Sequence, residues 1–66
     1  MNLNKLKGKL TEYGFTYEMV SKQIGRSRAA FSNKINSGKP FTQSEISKLK
    51  KLLNLTNDEV IEIFLD

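Results

Sequence analysis

The sequence predicts an all-α fold of five short helices in one domain over residues 1–66. Apolar residues recur at the three- and four-residue spacings of a helix, and no segment alternates as a half-buried strand does. Two capping boxes, Thr42-x-x-Glu45 and Thr56-x-x-Glu59, each precede an apolar run. A chain this short has room for a single small core, so a compact helical domain is the expected architecture.

The first predicted helix covers about residues 2–13. Three leucines at i, i+3 and i+7 form its inward stripe: Leu3, Leu6 and Leu10. Gly8 lies inside this helix, where glycine is unfavourable and can mark a close contact with another helix. Gly14 suits the left-handed conformation that commonly ends a helix.

Helices 2 and 3 are predicted over about residues 17–24 and 28–36, as a pair joined by a tight turn. Thr16 caps the first and Ser27 caps the second, because each hydroxyl can accept a bond from an unpaired N–H group of the first turn. Gly25 can take the positive φ that the sharp turn between them requires. The pair is therefore a candidate helix-turn-helix.

Helices 4 and 5 are predicted over about residues 43–53 and 57–65, each opened by one of the two capping boxes. Pro40 prevents helix 3 from continuing into helix 4. The inward stripes of all five helices, with one connecting phenylalanine, predict this core: Leu3, Leu6, Leu10, Phe15, Val20, Ile24, Ala30, Phe31, Ile35, Ile46, Leu49, Leu53, Val60 and Phe64.

Charge is distributed unevenly along the chain, whose net charge is +4. Residues 1–51 hold all 11 lysines and arginines and three acids, a net charge of +8, whereas residues 52–66 hold four acids and no base. A basic body with an acidic end suits a surface that binds a polyanion. The alternative is a solvated surface whose charge is merely uneven.

Composition excludes several classes of function. There is no cysteine and no histidine, so disulfides, thiolate or imidazole metal sites and the usual general base are missing. The carboxylates are scattered and no nucleophile–base pair can be assembled, so we expect neither an enzyme nor a bound cofactor or metal. No stretch has the apolar length of a signal peptide or a membrane span, which predicts a soluble intracellular protein.

Between Glu18 and Glu45 the chain carries five basic residues and no acid. If Phe31 and Ile35 turn inward, the outer face of helix 3 carries side chains that match base edges. Arginine can bond guanine, asparagine can bond adenine, and an alanine methyl can meet a thymine methyl. The predicted base-contacting residues are Arg28, Ala29, Ser32, Asn33 and Asn36.

A second set of residues around this face is predicted to contact DNA phosphates. It combines cations with hydroxyl and N–H groups at helix ends, where the helix dipole favours an anion. These residues are Thr16, Tyr17, Lys22, Arg26, Ser27, Lys34, Ser37 and Lys39. The alternative for both sets is an ordinary wet helix face, with Lys34 lying along apolar surface and Tyr17 packed on helix 1.

The segment over about residues 16–38 resembles the helix-turn-helix of the Cro/repressor family. The family pattern is roughly T-x-x-x-(apolar)-A-x-x-(apolar)-G-(apolar)-S-x-x-x-(apolar)-S, and it appears here from Thr16 to Ser32. Ser21 replaces the usual alanine, a change that a hydroxyl bonded back to the helix can absorb. Arg26 replaces an apolar turn residue, and Tyr17 replaces a frequent glutamine.

The runs F-T-x-S-E-I from Phe41 and L-x-L-T-x-(D/E)-E from Leu53 look like the openings of helices 4 and 5 in small Cro-type (XRE-like) phage regulators. The resemblance implies a five-helix lambda-repressor-like DNA-binding domain with helix 3 as recognition helix. It places Ser27, Arg28, Ala29, Ser32 and Asn33 at DNA-facing positions. The implied protein is a transcriptional regulator that binds double-stranded operator DNA in the cytoplasm of a bacterial host cell.

Helix 5 has more apolar residues than one inward stripe needs. Val60, Ile61 and Phe64 suffice for that stripe, which leaves Ile63 and Leu65 facing elsewhere. An apolar surplus at a chain end often marks an interface, so Ile61, Ile63 and Leu65 are the predicted protein-interface residues. That interface suits either a homodimer or a complex with a phage repressor. In the second case the protein is an anti-repressor, and its interface is either helix 5 or the basic helix-turn-helix face itself. RNA binding is less favoured, since no aromatic residue is predicted on the basic face.

Overall fold

A computed structural model describes residues 1–65 and confirms the all-α prediction. The helices are α1 (Leu3–Tyr13), α2 (Tyr17–Ile24), α3 (Arg28–Ser37), α4 (Gln43–Leu52) and α5 (Asn57–Val60), which continues as a π-helical turn (Ile61–Leu65). No strand occurs in this part of the chain. None of its helices has both the length and the apolar composition needed to cross a membrane.

The helices begin where the sequence predicts because side chains cap their first turns. The Ser27 hydroxyl accepts a hydrogen bond from the backbone N–H of Ala30, and Thr16 caps α2 in the same way. Both predicted capping boxes form: Thr42 pairs with Glu45 at α4, and Thr56 pairs with Glu59 at α5. These local bonds place the starts of α3 and α4 without help from distant residues.

The turn between α2 and α3 depends on Gly25, whose φ of 76° lies in the left-handed region. The N–H groups of Gly25 and Arg26 donate to carbonyls of the last turn of α2. Ser21 is buried nearby, and its hydroxyl donates to the Glu18 carbonyl at 2.9 Å, as expected for a serine in place of alanine. The last turn of α2 is therefore closed by its own hydrogen bonds and leads directly into α3.

The core combines inward residues of all the helices with two residues from connecting segments, Phe41 and Leu55, that were not predicted. A row of edge-on aromatic contacts runs through it from Tyr17 to Phe31, Phe41 and Phe64, with ring centroids 5.4–6.2 Å apart. The buried residues are Leu6, Leu10, Val20, Ile24, Phe31, Ile35, Phe41, Leu49, Leu53, Leu55, Ile63 and Phe64. Of the other predicted core residues, Leu3, Phe15, Ala30, Ile46 and Val60 are half-buried.

The prediction that Ile63 faces away from the core is wrong. Ile63 is fully buried together with Phe64, whereas Ile61 is exposed. The cause is the π-helical turn, which advances by a smaller angle per residue than an α-helix and so shifts the inward face along the chain. The backbone N–H of Asn2 donates to the Ile63 carbonyl at 2.9 Å, which ties the two ends of the chain together.

Lysines of α1 pair with acids of α5 and its π-helical turn. The Lys9 Nζ lies 2.8 Å from a carboxylate oxygen of Glu59, and the Lys5 Nζ lies 2.5 Å from one of Glu62. Such solvent-accessible pairs add little stability. Their consequence is electrostatic, because two acids of the C-terminal segment are neutralised by α1 and two α1 lysines are occupied.

Candidate nucleic-acid interface

The side of α3 opposite the core carries most of the predicted base-contacting residues. Phe31 is fully buried and Ile35 nearly so, while Arg28, Ala29 and Asn33 are exposed. With 3.6 residues per turn, positions 28, 29, 32, 33 and 36 fall on one side of the helix. α3 contains no acidic residue, so this face presents one cation and several neutral polar groups.

Two residues of this face are already bonded to each other. The Asn36 side-chain amide donates to the Ser32 hydroxyl at 3.1 Å, and Ser32 is half-buried. The Ser37 hydroxyl donates back to the Asn33 carbonyl, so it belongs to the end of α3. Within residues 1–65, Arg28 and Asn33 are the long polar side chains of this face that carry no side-chain partner.

A buried carboxylate, Glu45, lies where α3, α4 and the α2–α3 turn meet. Its side chain is 3% exposed, and its Oε2 accepts a hydrogen bond from Arg26 Nε at 2.9 Å. Its Oε1 accepts from Lys34 Nζ at 2.5 Å and from the Thr42 backbone N–H at 2.7 Å. One side chain therefore joins three separate segments of the chain.

These partners keep Glu45 ionised. Burial raises the pKa of the Glu45 carboxyl, but the hydrogen bonds from Lys34, the Thr42 backbone and Arg26 outweigh burial and lower it to about 2. At Glu59 the hydrogen bond from Lys9 is the main cause, and it lowers the pKa of that carboxyl to about 2 as well. The same contact raises the pKa of Lys9.

Lys34, one of the predicted phosphate-contacting residues, lies against Glu45. The Lys34 side chain is only 19% exposed, its ammonium is bound to Glu45, and it lies 5.6 Å from the centre of the Phe41 ring. Arg26 is also bound to Glu45 through Nε, although its side chain remains 46% exposed. The Lys34 ammonium is therefore mostly covered, whereas Arg26 is bound through Nε and stays partly exposed.

The other predicted phosphate-contacting residues differ in availability. Lys39 is exposed in the loop after α3, and Lys22 is exposed with its Nζ 3.8 Å from Glu18. Tyr17 is half-buried, with its ring edge-on against Phe31 at 5.5 Å. It packs on α3, whereas the alternative had placed it on helix 1. Thr16 and Ser27 are exposed but use their hydroxyls as caps.

Sequence reasoning missed a second basic surface on α4. Lys48 and Lys51 lie beside Gln23 and Leu52 around an open groove of about 300 Å³. The Lys48 ammonium comes within 3.8 Å of the position that a side chain at Gly25 would occupy, so it lies next to the α2–α3 turn. The signal was the K-x-K-K run at residues 48–51.

No group of three metal-ligating side chains comes together in the described part of the chain. The larger groove, about 440 Å³ and open to solvent, lies between the N-terminal residues and the end of α3, from Ile35 to Gly38. It brings Asn4 and Lys7 of α1 to one side of this end of α3.

Comparison of the chain with protein-family models, with curated proteins and with solved structures gave no match. The resemblance to the Cro/repressor family therefore depends on the sequence patterns quoted above. What the structure establishes is an all-helical chain in which one face of α3 carries exposed polar side chains and no acid.

Proposed function

We propose that the protein is a Cro-type transcriptional regulator that binds double-stranded operator DNA. In this proposal α2 and α3 form a helix-turn-helix and α3 lies in the major groove as recognition helix. The observation that supports it best is the acid-free outer face of α3, where Arg28, Ala29 and Asn33 are exposed. Their side chains suit guanine, the thymine methyl group and adenine, respectively.

The distribution of charge also supports this proposal. Glu59 and Glu62 are paired with α1 lysines, and Glu45 is buried, so three of the acids do not face a ligand at α3. Exposed cations remain beside α3 at Lys39 and on α4 at Lys48 and Lys51. Cations in such positions would bind phosphates and set affinity without contributing sequence preference.

The proposal is tested by selecting binding sites from a pool of randomised DNA duplexes. We expect an enriched site, and fluorescence anisotropy should show it bound at least about 10³-fold more tightly than unrelated duplex at the same salt concentration. Recovery of no enriched sequence, with equal affinity for all duplexes, would contradict specific DNA binding.

A second candidate function is that of an anti-repressor, which binds a phage repressor and changes its operator occupancy. The observation that favours it is the exposure of two large apolar side chains on the C-terminal turn, Ile61 at 51% and Leu65 at 72%. An exposed apolar pair of this kind suits a protein contact. The same pair suits a homodimer that would place two recognition helices about 34 Å apart on a palindromic site.

The two candidates are separated by size-exclusion chromatography of the protein with its cognate repressor, without DNA. A stable complex that is lost on substitution of Ile61 and Leu65 by serine, from a protein that selects no DNA site, would favour the anti-repressor. Co-elution that does not change with these substitutions would contradict the C-terminal turn as the interface.

A further inference from the structure

We infer that Glu45 is a positioning residue that determines how selectively the outer face of α3 binds DNA. The inference rests on the proposed function. It assigns two actions to one carboxylate: Glu45 fixes α3 against α4, and it withholds Lys34 from indiscriminate contact with phosphates.

The first action follows from where the three partners lie. Arg26 belongs to the turn before α3, Lys34 lies in the second half of α3, and the Thr42 N–H precedes α4. Bonds at both ends of α3 to one buried group oppose rotation of the helix about its axis. Rotation would change which side chains meet the bases, so this restraint bears directly on sequence preference.

The second action follows from charge. A cation that can reach any phosphate strengthens binding to every sequence equally. Lys34 lies within α3, adjacent in sequence to Asn33, yet its ammonium is held by Glu45 and is mostly covered. Binding of Lys34 to Glu45 therefore removes a cation that would raise non-specific affinity next to the proposed base-contacting residues.

The chain provides a matched control in Glu59. Both glutamates occupy the N3 position of a capping box, both pair with a lysine ammonium, and both have a pKa lowered to about 2. Glu59, however, joins α5 to α1 and, within residues 1–65, makes no hydrogen bond or ion pair with α3. Glu45→Gln and Glu59→Gln each keep a side chain that can complete the capping box while removing the charge.

The experiment measures binding of wild type and both variants to the selected site and to an unrelated duplex, over a range of salt concentrations. For Glu45→Gln we expect tighter binding to the unrelated duplex. The slope of log affinity against log salt concentration should be steeper by about 0.9 for each cation that is released to contact a phosphate. The ratio of specific to non-specific affinity should fall on the order of tenfold, as when one good base contact is lost. Glu59→Gln should match wild type in both quantities.

An unchanged ratio and salt dependence in Glu45→Gln would overturn the inference. An equal fall of the ratio in both variants would also overturn it, because that result shows that removing a paired carboxylate charge has the same effect wherever it lies in the fold. A destabilised protein binds both duplexes more weakly, whereas the inference requires that the unrelated duplex bind more tightly.

A readout without DNA separates failure of this inference from failure of the proposed function. Lysines can be acetylated with a water-soluble active ester, and mass spectrometry then gives the extent of modification at each residue. In wild type and in Glu59→Gln, Lys34 should be acetylated more slowly than the exposed Lys39. Glu45→Gln should remove that protection. If wild type shows no sequence preference, the proposed function fails, and protection of Lys34 alone then decides whether Glu45 holds α3. Equal reactivity of Lys34 and Lys39 in wild type would overturn that role.

Discussion

Arg28 is the guanidinium on the outer face of α3, and within residues 1–65 it has no side-chain partner. Replacement by alanine should lower affinity for the selected site by about 1–3 kcal/mol and relax the preference at one base pair, because a bidentate contact to guanine is lost. Fluorescence anisotropy with the selected duplex and its single-base variants measures both effects.

Arg28→Lys is the informative control, since lysine keeps the charge but lacks the planar fork that bonds guanine O6 and N7 together. We expect it to lose base preference nearly as fully as Arg28→Ala while it keeps the salt dependence of wild type. An unchanged base preference in Arg28→Ala would count against α3 as the recognition helix.

Glu45 and Glu59 give the protein a defined response to acid. Each carboxyl has a folded-state pKa of about 2, below its ordinary value of 4.5, so the folded state binds fewer protons than the unfolded state between these values. Their contribution to stability is present above about pH 4.5 and is lost as the pH falls towards 2. We therefore expect Tm, followed by circular dichroism, to fall across this window, and to fall less steeply in Glu45→Gln. If Tm falls equally steeply with pH in wild type and in Glu45→Gln, Glu45 is not paired as described.

Glycine has opposite effects on stability at Gly8, inside α1, and at Gly25, in the turn after α2. The backbone conformation explains both effects. Gly8 lies inside α1, and within residues 1–65 no atom of another helix comes within 4 Å of the place a methyl group would take, so the predicted close helix contact is absent there. Gly8→Ala should raise the free energy of unfolding by about 0.5–1 kcal/mol, since alanine favours the helix. Gly25→Ala should lower it by at least about 1 kcal/mol, because the φ of 76° strains any side chain. Urea denaturation measures both, and stabilisation by Gly25→Ala would contradict the turn conformation described here.

The helix boundaries could be predicted from the sequence because the information is local. Ser27 and Thr42 bond N–H groups three residues away, and Gly25 ends α2 within its own turn. Each prediction needed only the identity of near neighbours in the chain. For this reason the predicted starts and ends of α1, α2, α3 and α4 agree with the structure to within one residue.

The remaining features depend on contacts between distant residues, which a single sequence does not specify. Lys34 and Glu45 lie 11 residues apart, so nothing in the local pattern showed that the lysine is held by a buried acid. The burial of Ile63 depends on a π-helical turn that apolar spacing cannot distinguish from an α-helix. Leu55 and Phe41 are buried from connecting segments, where helical periodicity gives no signal. The outer face of α3 was predictable because it follows directly from the inward stripe of the same helix.

In the folded molecule, lysines of α1 pair with acids of the C-terminal segment. The sequence shows a basic body and an acidic end, but the fold places Glu59 and Glu62 against Lys9 and Lys5. The basic residues that remain unpaired with acids in the described part of the chain include Arg28, Lys39, Lys48 and Lys51. Cations available to a polyanion therefore include those on α3, the following loop and α4.

The Ile63 carbonyl accepts a hydrogen bond from the Asn2 N–H, and the burial of the Ile63 side chain predicts a large difference between two nearby isoleucines. Ile63→Ala should lower the free energy of unfolding by about 2–4 kcal/mol, because it leaves a cavity in a core where Ile63 is fully buried. Ile61→Ala should change it by no more than about 0.5 kcal/mol, since Ile61 is half exposed. For a domain of this size the first loss is a large part of total stability, so partial unfolding at 37 °C is expected. Urea denaturation followed by circular dichroism measures both variants, with equal m-values required for a direct comparison. If Ile63→Ala and Ile61→Ala lower the free energy of unfolding equally, Ile63 does not pack inward, and residues 61–65 form an α-helical turn in place of the π-helical one.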